Sequence, residues 1–178
     1  MIKVYDSVIP DNICHELIGF FELNKSSQEY INHDNCPCFT QLNVNQVSDN
    51  VVRSLVPYVS KVYNRYKEEL KARFAPPIKK LEEFRIKRYI INGNERFDLH
   101  IDANDSKSCI RAVAFLFYLN DNDGLTVFPS HNLNIEPKTG SVLIFPPTWE
   151  YPHQGLPPQN SIKYIMSTYL HYANERTD

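Results

Sequence analysis

Apolar residues near the start of the chain recur at helical spacing. Cys14, Leu17, Ile18 and Phe21 form one stripe behind Pro10-Asp11, which predicts a first helix. Met1 to Ser7, ahead of it, reads as a strand. Asn24 to Phe39 is polar and predicts a loop. From about Ser48 to Phe74, Val52, Leu55, Val59, Val62, Tyr66 and Leu70 return every three or four residues, the stripe of a long amphipathic helix. Ala75-Pro76-Pro77 should stop it.

Beyond Pro77 the pattern changes from helical to extended. Phe84 to Ile91 predicts a strand, followed by the turn Asn92-Gly93-Asn94. Cys109 to Leu119 predicts another, followed by a turn over Asn120 to Gly124. Leu125 to Phe128, Asn132 to Glu136, Ser141 to Phe145 and Ser161 to Tyr172 complete the set. No internal repeat is visible. Two helices ahead of a run of short strands predict a helix-supported β-barrel or sandwich.

Composition narrows the picture. With 178 residues, 42% of them hydrophobic, the chain suits one domain with a sizeable core. Lys and Arg number 19 against 21 Asp and Glu, so a general attraction to nucleic acid is disfavoured. Arg65 to Arg88 is locally basic, but Glu68, Glu69, Glu82 and Glu83 interrupt it, as on a solvated helix face. Cys14, Cys36, Cys38 and Cys109 have no disulfide spacing. Cys36-Pro37-Cys38 beside His33 lacks a second ligand pair for zinc, so ordinary reduced thiols are expected. Asp6, Asp11 and Glu16 break up the N-terminal apolar residues. Neither a signal peptide nor a membrane span is expected, and a soluble protein of the cytoplasm or another intracellular compartment is the default.

The candidate chemistry lies in His100-Ile101-Asp102, His153 and Lys163. Side chains at i and i+2 of an extended segment leave the same face, so His100 and Asp102 can reach one metal. With His153 they make two imidazoles and a carboxylate. That set leaves coordination positions open and is the arrangement of non-haem Fe(II) oxygenases. Asp98, two residues before His100, is the rival carboxylate or a group orienting the histidine. A 2-oxo acid chelating iron needs a cation for its far carboxylate. Lys163, Ile165, Ser167 and Tyr169 share one face of the last strand, and Lys163 suits that role. The Tyr118 hydroxyl could bond the same carboxylate, beside the small Ala114, and Tyr89 could do likewise. His131 and His171 fit ordinary roles. Trp149, the single tryptophan, lies in the Pro- and aromatic-rich stretch before His153; a loop at the cavity mouth and a cap on the barrel core are both open.

From about Phe84 to Tyr172 the sequence resembles the prolyl-4-hydroxylase branch of the 2-oxoglutarate/Fe(II) dioxygenases. Phe97 to Asp102, FDLHID, resembles the branch's aromatic-acidic-x-H-x-D. RAVAFLFYLND, Arg111 to Asp121, resembles its strand ending in Y-L-N-D. Asp123 to Pro129, DGLTVFP, resembles its G-G-E-T-x-F-P, without the second glycine or the glutamate. Pro137 to Ser141 and Phe145-Pro146 resemble its P-x-x-G-S and F-P, and ten residues separate His153 from Lys163 as in the branch.

The resemblance implies an α+β, mainly β fold: a double-stranded β-helix, jelly-roll or cupin-like, buttressed by N-terminal helices. Residues 1–178 would be one domain, with helical support over about 8–75 and a catalytic β core over about 82–173. His100, Asp102 and His153 would be both the metal ligands and the catalytic centre. Lys163, Tyr118, Tyr89 and Ser167 would bind 2-oxoglutarate. Fe(II), 2-oxoglutarate as cosubstrate and O2 are implied, with ascorbate (vitamin C) a candidate reductant. The expected activity is hydroxylation of prolyl residues of a peptide or protein, releasing succinate and CO2. A free amino-acid hydroxylase, a nucleic-acid dealkylase and a non-catalytic binding barrel are the alternatives.

Overall fold

Strand alternation decides this architecture, because one sheet has helices on one face and a cavity on the other. The computed structural model describes residues 1–33, 37–71, 73, 75–77, 80–91 and 93–172. In chain order the elements are β1 (Lys3–Tyr5), α1 (Asp11–Leu23), β2 (Gln28–Asn32), β3 (Cys38–Asn43), α2 (Asp49–Leu70), β4 (Arg85–Tyr89), β5 (Phe97–His100), β6 (Arg111–Tyr118), β7 (Thr126–Phe128), β8 (Leu133–Ile135), β9 (Val142–Phe145), β10 (His153–Gly155) and β11 (Lys163–His171). Among the described residues, one antiparallel sheet runs β1-β9-β6-β11-β4-β3-β2 and a smaller one runs β5-β10-β7-β8. The fold is mainly β, a double-stranded β-helix with two helices against its larger sheet.

Both helices follow from their apolar stripes. Cys14, Leu17 and Phe21 of α1 are buried, as are Leu55, Val59, Val62, Tyr63 and Tyr66 of α2. They pack on Ile86, Phe115, Phe117, Ile144 and Met166 of the large sheet. Each such large side chain contributes about 1.5–3 kcal/mol by leaving water. The Ser48 hydroxyl accepts from Val51 N at 3.3 Å and caps α2. Polar ties fix how the helices sit. Arg88 and the Tyr164 hydroxyl both reach Glu22 of α1, at 3.0 and 2.8 Å, and the Tyr66 hydroxyl bonds Met1 O at 2.7 Å.

Three expectations change. The segment expected to be a loop, Asn24 to Phe39, holds β2 and the start of β3. Strand β2 is the sheet edge, so its residues need no apolar alternation, and its conformation comes from pairing with β3. Helix α2 ends at Leu70, earlier than the Pro-Pro stop. Lys71 adopts a left-handed conformation at φ 49° and its N–H closes on Glu68 O. Phe74 and Asn92 lie outside the described residues. Strand β10 was not foreseen either: His-Gln-Gly carries no strand pattern. No described helix is long and apolar enough to cross a membrane.

Candidate active site

A β-bulge shapes the centre of the cavity. Strand β10 pairs His153 with His100 and Gly155 with Phe97, so a two-residue step on β10 faces a three-residue step on β5. The extra residue breaks the parity expected for positions 98, 100 and 102. Phe97 therefore shares a face with His100, their rings stacked with centroids 3.6 Å apart and 7° between planes. The Asp98 carboxylate turns away and pairs with Arg96 at 2.7 Å. Asp98 is thus not the rival ligand. It orients His100 through its backbone carbonyl, 2.7 Å from His100 Nδ1.

His100, Asp102 and His153 converge, with their ligand atoms all within 4.8 Å of one another. His100 Nε2 lies 3.3 Å from one Asp102 oxygen, and His153 Nε2 lies 3.6 Å from the other. His153 Nδ1 faces Tyr151 O at 3.2 Å. In both rings Nδ1 faces a backbone carbonyl, which turns Nε2 toward the cluster. Burial pushes the Asp102 carboxyl up, but the His100 hydrogen bond and the charges of His153, His100 and Lys87 outweigh it, holding it well below the usual carboxylate range. Burial lowers His153, partly opposed by Asp102, which favours the neutral imidazole that a metal needs.

Behind Asp102 stands a network that sequence reasoning missed. Arg111 donates to Asp102 O at 2.6 Å and grips Glu82 with bonds of 2.7 and 2.9 Å. His171 also reaches Glu82, at 2.7 Å. Because β5 ends at His100, Asp102 has no strand partner, and Arg111 holds its backbone instead. An Arg at the start of a strand carries no signal of this role.

The inner end of the cavity is formed by β4, β7 and β11. Lys163, 2% exposed, pairs in register with Tyr89 and lies with its Nζ 5.4 Å from that ring's centroid. The Nζ donates to Gly124 O. Burial, partly opposed by Asp123, lowers the Lys163 ammonium to about 7. Gly124 is needed here: a Cβ would meet Asn122 Oδ1 and Leu156 O at 2.9 Å and Lys163 Cδ at 3.1 Å. This is the glycine that the Asp-Gly-Leu-Thr segment retains. Ser167 and Tyr89 line the cavity, as do Thr126 and Gly155, which the sequence did not single out. Tyr118 lies behind Thr126 and donates to its hydroxyl at 2.9 Å.

At the outer end the cavity continues into a groove of about 500 Å³, bordered by Gln41, Arg85, Lys87, Leu99, Asn104 and Arg111 among others. Trp149 is 76% exposed, which excludes the core cap. Cys14, Cys38 and Cys109 are free thiols, and the Cys38 sulfur lies 3.1 Å from the Tyr30 hydroxyl. Cys36, and with it the Cys-Pro-Cys segment as a whole, falls outside the described residues. His131 stacks on Tyr151. Among the described residues, His100, Asp102 and His153 make the one group with metal-binding geometry.

The comparisons agree with this geometry. Residues 84–171 match the family model described as the 2OG-Fe(II) oxygenase superfamily. This segment belongs to that superfamily. The oxygenase segment contains all three members of the cluster together with Lys163. No curated protein matches the chain. A viral collagen prolyl hydroxylase from Paramecium Bursaria Chlorella virus-1, solved with 2OG, is similar in structure at 17% identity and TM-score 0.68, over 97% of this chain and 96% of that one. A Pseudomonas putida prolyl-4-hydroxylase aligns at 13% identity and TM-score 0.77, covering 97% and 93%. A Trichoplax adhaerens prolyl hydroxylase, solved with a hypoxia inducible factor peptide fragment, aligns at 16% identity and TM-score 0.74, covering 96% and 83%. At these identities the likeness establishes the shared fold. The donor set itself fits Fe(II): two imidazoles and one carboxylate, oriented from behind by carbonyls and a guanidinium.

Proposed function

We propose that the protein is a 2-oxoglutarate- and Fe(II)-dependent hydroxylase acting on prolyl residues of a peptide or protein, with release of succinate and CO2. The observation that carries this reading is one cavity with the His100–Asp102–His153 cluster at its open end and a buried lysine at its closed end. Iron bound there would supply the activation of O2 and the 2-oxo acid that transfers an oxygen atom to a C–H bond. His100, Asp102 and His153 would hold it from one side and leave the other side to cosubstrate and O2. Lys163 would exchange the Gly124 carbonyl for the far carboxylate of 2-oxoglutarate. Tyr89 and Ser167 would line that carboxylate's site, and Tyr118 would act on it through Thr126. The largely apolar inner walls, among them Ala114, Phe145 and Ile165, would limit water at the reacting centre. The prolyl substrate is supported by the three prolyl hydroxylases that share the fold, and the open groove leaves room for a peptide. The chain is taken as one domain, residues 1–178.

The test is a substrate screen of prolyl peptides and free amino acids with Fe(II) and 2-oxoglutarate. Succinate release coupled to a mass gain of one oxygen on a prolyl residue is the expected result. Succinate release with no prolyl product would retain the oxygenase and reject the prolyl substrate.

A further inference from the structure

The cavity contains two lysines, and among the described residues one of them has no polar partner. Lys163 at the closed end bonds Gly124 O. Lys87 lies two residues along β4 from Tyr89, so its backbone stands roughly 7 Å closer to the open end. It borders both the inner cavity and the outer groove. Its neighbours across the sheet are Ile165 and Gln41, neither of them charged. Its ammonium lies 5.1 Å from the Phe39 ring centroid and 5.8 Å from that of Phe97. Among the described residues Lys87 makes no hydrogen bond or ion pair.

The other cations of the groove are already matched. Arg85 pairs with Glu83 at 2.7 Å and lies 3.6 Å from Glu82. Arg111 grips Glu82 through two hydrogen bonds. Asp102, ahead of the more weakly felt Glu82, is the carboxylate whose field reaches Lys87 most, and its oxygens face the His100 and His153 imidazoles. A divalent ion on Asp102 would offset that carboxylate's field and leave an aromatic-walled ammonium in the same cavity as a metal. Such a charge calls for an anion. The cosubstrate has none to spare, since one carboxylate goes to Lys163 and the other belongs to the chelating end.

We propose that Lys87 receives a carboxylate of the substrate, so that the protein selects anionic substrates. The carboxylate would come from an acidic residue next to the reacting proline of a peptide, or from the α-carboxylate of a free amino acid. The inference rests on the oxygenase reading above. Phe39 and Phe97 flank the half-buried ammonium and limit its contact with water, which strengthens its hold on a carboxylate.

The test compares carboxylate and amide pairs: blocked pentapeptides with Glu or Gln beside proline, and L-proline against L-prolinamide. Turnover is followed by succinate and product mass. Binding is followed by calorimetry on the Mn(II)- and 2-oxoglutarate-loaded protein. Wild type should favour the carboxylate member by about tenfold or more, a typical effect for truncating one partner of a desolvated charge pair. Lys87→Met should reduce the preference to about twofold or less, Lys87→Arg should keep most of it, and the KM for 2-oxoglutarate should move less than about twofold. Preference confined to the peptides identifies an acidic peptide; preference confined to proline identifies a free amino acid. Equal binding and turnover of both members of every pair would overturn the proposal. So would a Lys87→Met defect seen in the 2-oxoglutarate KM. Substrate-free succinate release by wild type tests the oxygenase reading separately, so a failure of that reading is distinguishable from a failure of this one.

Discussion

The two faces of the seven-stranded sheet are built from the same strands and differ in what they bury. On the helix side β11 presents Tyr164, Met166 and Leu170, and β4 presents Ile86. On the cavity side the intervening residues are Lys163 and Ser167 of β11, and Lys87 and Tyr89 of β4. The helix face gains stability from apolar packing. The cavity face instead carries polar and charged side chains, with Lys163 buried and Lys87 half-buried. The stability of the fold and the chemistry of the site are thus separated by a single residue step along each strand.

The sharpest way to break this contrast is at Asp102. Asp102→Ala should lower metal-dependent succinate release to background, while Asp98→Ala should keep metal binding, as read by Mn(II) calorimetry. The opposite pattern would show that the bulge does not set the ligand face. On the helix side, Phe21→Ala should cost about 3–5 kcal/mol of stability in urea unfolding. Its folded fraction should bind Mn(II) as wild type does, and a large loss of metal affinity would show that the faces are coupled.

Next comes the inner end of the cavity. Lys163→Ala should weaken 2-oxoglutarate binding by about 2–5 kcal/mol, with metal affinity retained. The protonated form binds the dianion and burial lowers Lys163 to about 7, so 2-oxoglutarate affinity should fall as pH rises above that value, by up to roughly tenfold per unit. The stability linkage has the opposite sign. The unfolded chain holds the Lys163 proton up to its ordinary 10.5, so this residue makes the ligand-free fold gain stability as pH rises from about 7 toward 10.5. A flat affinity profile between pH 6.5 and 8.5 would remove Lys163 from the carboxylate site.

The smallest expected effect is at the rim. Trp149 is exposed, so Trp149→Ala should change stability by no more than about 0.5 kcal/mol. It lies four residues from His153, which spans at most ~14 Å, so metal binding should alter its emission. A stability loss like that of Phe21→Ala would show that it packs on the body of the protein.

Much of this was legible along the chain. Both helices announced themselves through apolar stripes, since a buried helical face must repeat every three or four residues. The strands from β6 to β9 and β11 showed as extended apolar runs bounded by turns. The cluster His100, Asp102 and His153 and the buried Lys163 were legible as candidates because metal and anion chemistry restricts residue type and spacing. What stayed hidden depended on partners distant in sequence. Strand β2 is extended because β3 lies beside it. The orientation of Asp98 depends on a bulge set by pairing with β10. Arg111 steadies Asp102 because Glu82 and His171 hold it in place. That Lys87 makes no hydrogen bond or ion pair among the described residues shows only in the folded chain, where Glu82 is matched by Arg111 and Asp102 faces His100 and His153. Sequence by itself determined which residues repeat and which chemistry they can carry, since both follow from side-chain type and local spacing. The tertiary structure decided which groups meet and which are left without a partner, because long-range pairing sets register, and register sets the face each side chain occupies.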